Sequence, residues 1–129
     1  MAAGKYSFII EQGATLSFEL QYKDSTGTPI DLTGYTGRMQ IRPSITSNTV
    51  LFQMNSTVRP DGTGLNFNGS NGVTPPSSGS IGVYISAYSS SLMTFNEAVY
   101  DIEIVSGSTY PVVTRLIEGT VKLSKEVTR

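Results

Sequence analysis

The sequence predicts an all-β protein, an antiparallel β-sandwich of seven or eight short strands with at most one short helical turn. Three observations predict it. Apolar and polar residues alternate with period two along most of the chain. Clusters of Gly, Pro, Asn, Asp and Ser break that alternation at roughly 8–12-residue spacing, the rhythm of a sandwich or barrel. The 17 Ser and 15 Thr among 129 residues supply the hydroxyls that two-sided strands and tight turns use. The length fits one domain, residues 1–129.

The elements follow in order. Met1 to Lys5 reads as a mobile arm, and a first strand is expected over Tyr6–Gln12, ended by Gly13. Leu16, Phe18, Leu20 and Tyr22 alternate with Ser17, Glu19, Gln21 and Lys23, a half-buried strand. Asp24 to Pro29 is a turn, after which Ile30 and Leu32 re-enter the core. Tyr35 to Arg42 alternates again, with Tyr35, Gly37, Met39 and Ile41 on one face, and Pro43 stops it. Val50, Phe52 and Met54 are in phase over Val50–Asn55, and a weaker strand covers Gly64–Asn68. Residues 68–80, rich in Asn, Gly, Ser and Pro, read as a flexible exposed loop. Ile81, Val83 and Ile85 form the next strand, and Ala87–Thr94 has the look of a short helical turn. Ala98, Tyr100, Ile102 and Ile104 then alternate with charged and β-branched residues. The turn Gly107-Ser108-Thr109 returns the chain through Val113, Ile117, Val121 and Leu123 as a long hairpin. Residues 125–129 are expected to trail as a tail.

One local pattern narrows the architecture. In Asn96-Glu97-Ala98-Val99-Tyr100, a turn residue and a small residue precede a Tyr on the penultimate strand. That is the setting of a tyrosine corner, whose hydroxyl bonds back to upstream backbone in immunoglobulin-like sandwiches. The expectation is a buried Tyr100 with its hydroxyl on a backbone group upstream.

Composition excludes several chemistries. Lys plus Arg number 9 against 10 Asp plus Glu, and His, Cys and Trp are absent. No disulfide, thiol nucleophile or imidazole base is available, and a metal site of Cys or His cannot form. A net charge of −1 is far from the concentrated cationic face that nucleic acid requires. No apolar run approaches a signal peptide core or a membrane span, so a cytosolic origin without membrane association is expected.

Candidate chemistry is sparse. Asp101 and Glu103 share a strand face about 7 Å apart, a spacing a glycosidase could use, although a solvated outer face is the simpler reading. Gly62-Thr63-Gly64 lacks the spacing of a phosphate loop, and Asp61-Gly62-Thr63 has too few acidic oxygens for calcium. No catalytic, cofactor or metal site is therefore expected. Arg38 and Arg42 flank Gln40 on one strand face and can meet an acidic partner or Glu11 or Glu19 of a neighbouring strand. Arg115 is in phase with apolar Val113 and Ile117, which calls for a bulge, a sheet rim or another chain. Tyr84, Tyr88 and Tyr110 sit in or beside loops as binding aromatics or rim residues.

The runs Ile10-Glu11-Gln12-Gly13-Ala14-Thr15 and Asp31-Leu32-Thr33-Gly34-Tyr35-Thr36-Gly37-Arg38-Met39-Gln40-Ile41-Arg42 resemble small tailed-phage virion proteins. So do Val99-Tyr100-Asp101-Ile102-Glu103-Ile104 and Val113-Thr114-Arg115-Leu116-Ile117-Glu118-Gly119. The chain is similar to the immunoglobulin-like N-terminal domain of phage baseplate upper proteins, least so over residues 44–80. That resemblance implies a non-enzymatic tail or baseplate component, without cofactor, made in the host cytoplasm and carried in the virion. Its partners would be other virion subunits, with homo-oligomer or ring formation in the particle. In baseplate upper proteins the domain is followed by receptor-binding sequence, whereas this chain stops, so an adaptor, a tail-tip ring subunit or a head decoration protein is also open. A carbohydrate-binding module built on Tyr and hydroxyl loops is the alternative from a different class, weakened by the absence of Trp.

Overall fold

The computed structural model describes residues 4–128. Its strands are β1 (Gly4–Lys5), β2 (Phe8–Glu11), β3 (Leu16–Gln21), β4 (Thr36–Arg42), β5 (Phe52–Asn55), β6 (Gly64–Asn66), β7 (Ser80–Ile85), β8 (Glu97–Val105) and β9 (Val113–Ser124). One helical turn, α1 (Ala87–Ser91), lies between β7 and β8, and a 3₁₀ turn spans Pro76–Ser78. The larger sheet runs β1-β9-β8-β4-β5, with β2 also on β9, and the smaller runs β3-β7-β6.

Alternation places the core between the two sheets. Met39 and Ile41 of β4, Tyr100, Ile102 and Ile104 of β8, Val121 and Leu123 of β9, and Ile81, Val83 and Ile85 of β7 are all buried. Ile10, Leu32, Met54, Leu65 and Met93 close the space between and around them. Each fully buried aliphatic side chain contributes about 1.5–3 kcal/mol, which is what offsets the ordering of so many short strands.

Among the described residues nine strands form where seven or eight were expected, because Gly4 and Lys5 add a short strand ahead of the expected first one. β1 and β2 both pair in parallel with β9 in one continuous register, Gly4 to Ile117 through Glu11 to Ser124. The ladder is interrupted only at Tyr6 and Ser7. Of the expected mobile arm, Gly4 and Lys5 are therefore sheet residues, and Met1 to Ala3 lie outside the described residues. The expected tail is likewise anchored at Glu126, whose N–H donates to Gln12 Oε1 at 2.9 Å, while Arg129 lies outside the described residues. Residues 68–79 form a largely exposed loop that carries its own hydrogen bonds. Asn71 Oδ1 accepts from Val73 N, Thr74 N and Thr74 Oγ1, and Asn68 Nδ2 donates to the Thr74 carbonyl.

The returning strand also differs. Ile102 pairs with Ile117, but the next residue, Glu103, pairs with Arg115, so Leu116 is an extra residue in β9. This bulge reverses the facing of everything before it. Val113, expected beside Ile117 and Val121, turns outward and is 48% exposed, and Arg115 turns outward with it. Val50 likewise falls outside β5 and is exposed.

Tyr100 is buried, and its hydroxyl donates to the Tyr6 carbonyl at 2.6 Å. The acceptor is an upstream backbone group, as expected, but it belongs to the N-terminal segment between β1 and β2 and not to the crossover before β8, so this tyrosine fastens the first strand rather than a corner. Burial, then the neighbouring Tyr6, pushes its phenol well above the ordinary range. The ring also meets Phe8 edge-on at 4.9 Å between centroids. Tyr100→Phe keeps that packing and removes the bond. It is expected to cost about 1–2 kcal/mol in urea unfolding, with amide exchange quickening first in β1 and β2.

Candidate functional site

The outer face of the larger sheet carries a groove of about 500 Å³. Register lays out the charges in the groove and beside it. Across β4, β8 and β9, Arg38, Glu103 and Arg115 form one row, and Gln40, Asp101 and Glu118 the next. Lys5 joins from β1 beside Glu118.

These charges are paired within the chain. Arg38 Nε lies 2.9 Å from Glu103 Oε1, and Lys5 Nζ lies 2.7 Å from Glu118 Oε1. Arg115, which the bulge brought to this face, reaches Asp101 Oδ2 at 3.4 Å and Glu118 Oε2 at 3.6 Å. Arg42 donates to Gln40 Oε1 and to the Ser47 carbonyl, the latter at 2.7 Å, and so closes the loop after β4. Arg38, Arg42 and Arg115 thus spend their guanidinium groups inside the chain. The partners are Glu103, Gln40, Asp101 and Glu118, and not the Glu11 or Glu19 that the sequence suggested.

The two carboxylates of interest to hydrolysis, Asp101 and Glu103, do share this face. Each has its own arginine, which makes them members of a charge lattice. Partial burial, followed by the negative neighbour Glu103, raises the Asp101 carboxyl above its ordinary value despite Arg115. The Lys5 ammonium lowers that of Glu118. A test separates the two kinds of position. Glu103→Gln is expected to lower stability by about 0.5 kcal/mol, the scale of an exposed pair. Asp101→Asn, which removes a carboxylate disfavoured by burial, is expected to leave the thermal midpoint unchanged or raised. Thermal unfolding of both variants at pH 7 reads the difference.

A second constellation lies under α1. Asp61 accepts from Ser86 Oγ at 2.6 Å, Ser89 Oγ at 2.8 Å and Thr63 N at 3.0 Å. Ser86 caps α1 by accepting from Ser89 N at 3.0 Å. Buried Thr63 accepts from Ser86 N and donates to Ser89 Oγ, both at 3.1 Å. The Ser86 hydroxyl, the Thr63 amide and the Ser89 hydroxyl hold the Asp61 carboxyl far below the usual range. On the other side of α1, Ser90 Oγ bonds the Ala14 carbonyl and the Gly13 N–H. The helix is thereby fastened to the turn before β6 and to the turn after β2. Fixed in this way, it holds Tyr88 and Leu92 in solvent, 70% and 65% exposed and one helical turn apart.

The three loop tyrosines separate. Tyr84 is half-buried, its ring lying over Gly62. Tyr88 stands on α1, and Tyr110, in the β8–β9 loop, is 88% exposed. Reading the sequence missed Lys5, Glu118 and the Asp61 cluster. Asp-Gly-Thr at residues 61–63 is a turn signal, and Ser86 ahead of Ala87 a capping signal, but nothing local joins residues some 25 apart. Among the described residues, no group of three or more acidic side chains is placed to hold a metal ion, and no helix is long and apolar enough to cross a membrane. Compared with protein-family models and with curated proteins, the chain matches none.

Proposed function

We propose that the protein is a non-enzymatic structural subunit of a tailed-phage particle, located in the tail or baseplate and acting by docking on other virion proteins. One observation carries the assembly role. The charged side chains of the groove are engaged within the chain, in ion pairs or, for Arg42, in hydrogen bonds to Gln40 and Ser47, whereas Ile45 at its rim, Tyr88 and Leu92 on α1, and Tyr110 and Val112 at the hairpin tip stand in solvent. Such a surface gains from burial of apolar area and has its polar requirements already met, which favours protein contact. The immunoglobulin-like reading is supported by strand order. Lettered in chain order, the sheets run A′-G-F-C-C′ and B-E-D, with the first strand parallel to the last. The phage assignment itself rests on the resemblance of the sequence segments. Gold-labelled antibody against the purified protein, viewed on particles by electron microscopy, tests it. Label on the tail or baseplate is expected, label on the head would move the subunit to a decoration role, and unlabelled particles would overturn the proposal. Binding to a glycan array together with unlabelled particles would favour the carbohydrate-binding alternative.

A further inference from the structure

The outer edge of β3 is open. Tyr22 N donates to the Gly79 carbonyl at 2.8 Å, continuing the β3–β7 register in which Leu20 faces Ile81 and Phe18 faces Val83. Alternation along an antiparallel ladder then turns the N–H and C=O of Ser17, Glu19 and Gln21 away from β7. Among the described residues, nothing bonds these six backbone groups. At six residues, β3 is longer than the other edge strands, β1 with two, β2 and β5 with four each and β6 with three. The edge of β5 is covered where Arg59 Nη2 donates to the Gln53 carbonyl. The inward row of β3, Leu16, Phe18, Leu20 and Tyr22, is only half-buried although it faces the core. Both the backbone and the apolar row are therefore left incomplete along one line.

We propose that this edge is a self-association surface, on which β3 of a second copy of the chain adds antiparallel about a two-fold axis at Leu20. The inference rests on the edge alone and stands whether or not the virion reading does. A strand completing the edge must present apolar residues toward the sandwich and polar residues outward, and β3 itself has that pattern. Register is chosen by the inward row together with charge: centring on Gln21 would set Glu19 opposite Lys23 of the second copy but leave Phe18 opposite Asp24. Centring on Glu19 sets two carboxylates directly opposite, which is unfavourable. Centring on Leu20 sets Glu19 opposite Gln21 and Phe18 opposite Tyr22 of the second copy, and brings Glu19 diagonal to the second copy's Lys23. Both side chains lie on the exposed outer row, and diagonal neighbours at 7–8 Å are within reach of long side chains. One carboxylate oxygen of Glu19 already accepts from Ser70 N and Ser70 Oγ, leaving the other for Lys23.

Sedimentation velocity on the full chain tests this, with folding checked by circular dichroism. A dimer growing with concentration is expected. Gln21→Pro removes an outward N–H that no internal bond uses, and is expected to leave a folded monomer. Lys23→Glu and Glu19→Lys, each alone, are expected to weaken association about tenfold, and an equimolar mixture of the two to restore it. Amides of Ser17, Glu19 and Gln21 should gain exchange protection as concentration rises. A wild-type chain that stays monomeric at about 1 mM would overturn the proposal. So would a dimer indifferent to Gln21→Pro and to the charge variants.

Discussion

Gly119→Ala is expected to lower the thermal midpoint by about 10 °C, from a loss of about 3 kcal/mol. Gly119 faces Tyr100 across the β8–β9 ladder, at the break between β1 and β2. A Cβ there would collide with the Tyr6 carbonyl oxygen, which is backbone and cannot swing aside. That oxygen is also the acceptor of the Tyr100 hydroxyl. The substitution therefore combines an overpacking cost of about 1–3 kcal/mol with loss of the bond, about 1–2 kcal/mol. The N-terminal strands must leave β9 to relieve it. Calorimetry gives the size of the effect, and hydrogen exchange gives its place. Protection should fall in β1, β2 and the facing half of β9, while β3 and β7 keep theirs. Uniform loss, or none, would contradict this account of how the first strand is held.

Thr63→Val carries the second large effect. The side chain is fully buried, and its hydroxyl serves two partners, Ser86 N and Ser89 Oγ. Valine has the same shape and neither capacity, so a buried N–H at the start of α1 is orphaned. The expected cost is about 2 kcal/mol, with local exchange opening at Ser86 to Ser90. Because α1 presents Tyr88 and Leu92, any contact made through them should weaken in parallel.

Asp61 gives the same cluster a pH signature. Its folded carboxyl titrates below the ordinary value, so between the two values the unfolded chain binds more protons than the folded one. The stabilisation is complete above the usual carboxylate range, near pH 4, and is lost as pH falls toward the folded value. Hydroxyl and amide donors lower Asp24 and Asp31 in the same sense, as the Lys5 ammonium lowers Glu118. Asp101 runs the other way, contributing stability below the ordinary value that is lost as pH rises. Asp61→Asn is thus expected to be less stable than wild type at pH 7, with the difference narrowing steadily in urea unfolding from pH 5 to pH 2. A constant difference would remove the carboxylate from the explanation.

Local order was readable because the strands that bury one face alternate strictly. Leu16–Gln21, Thr36–Arg42 and Glu97–Val105 are visible from apolar period alone, as is the helical turn at Ala87 from its broken phase. What escaped depends on contacts between distant residues. Gly4 and Lys5 are too few to show a period, and they are strand only because β9 offers them a parallel edge. The bulge at Leu116 can be suspected from Arg115 lying among apolar residues, yet its position is set by pairing with β8. The Tyr100 bond was foreseen in kind, but its acceptor lies 94 residues upstream, where no local pattern points. The charge lattice is the same case. Arg38 and Glu103 meet through register, and nothing in either segment names the other.

The role proposed above is that of a particle subunit working through contacts on its surface. A side-chain-resolution reconstruction of the tailed particle tests this most directly. The account predicts several symmetric copies of the nine-strand sandwich in the tail or baseplate, with neighbouring chains seated on Tyr88, Leu92 or Tyr110. Particles with no density for the sandwich, or copies whose neighbours avoid all three side chains, would contradict it.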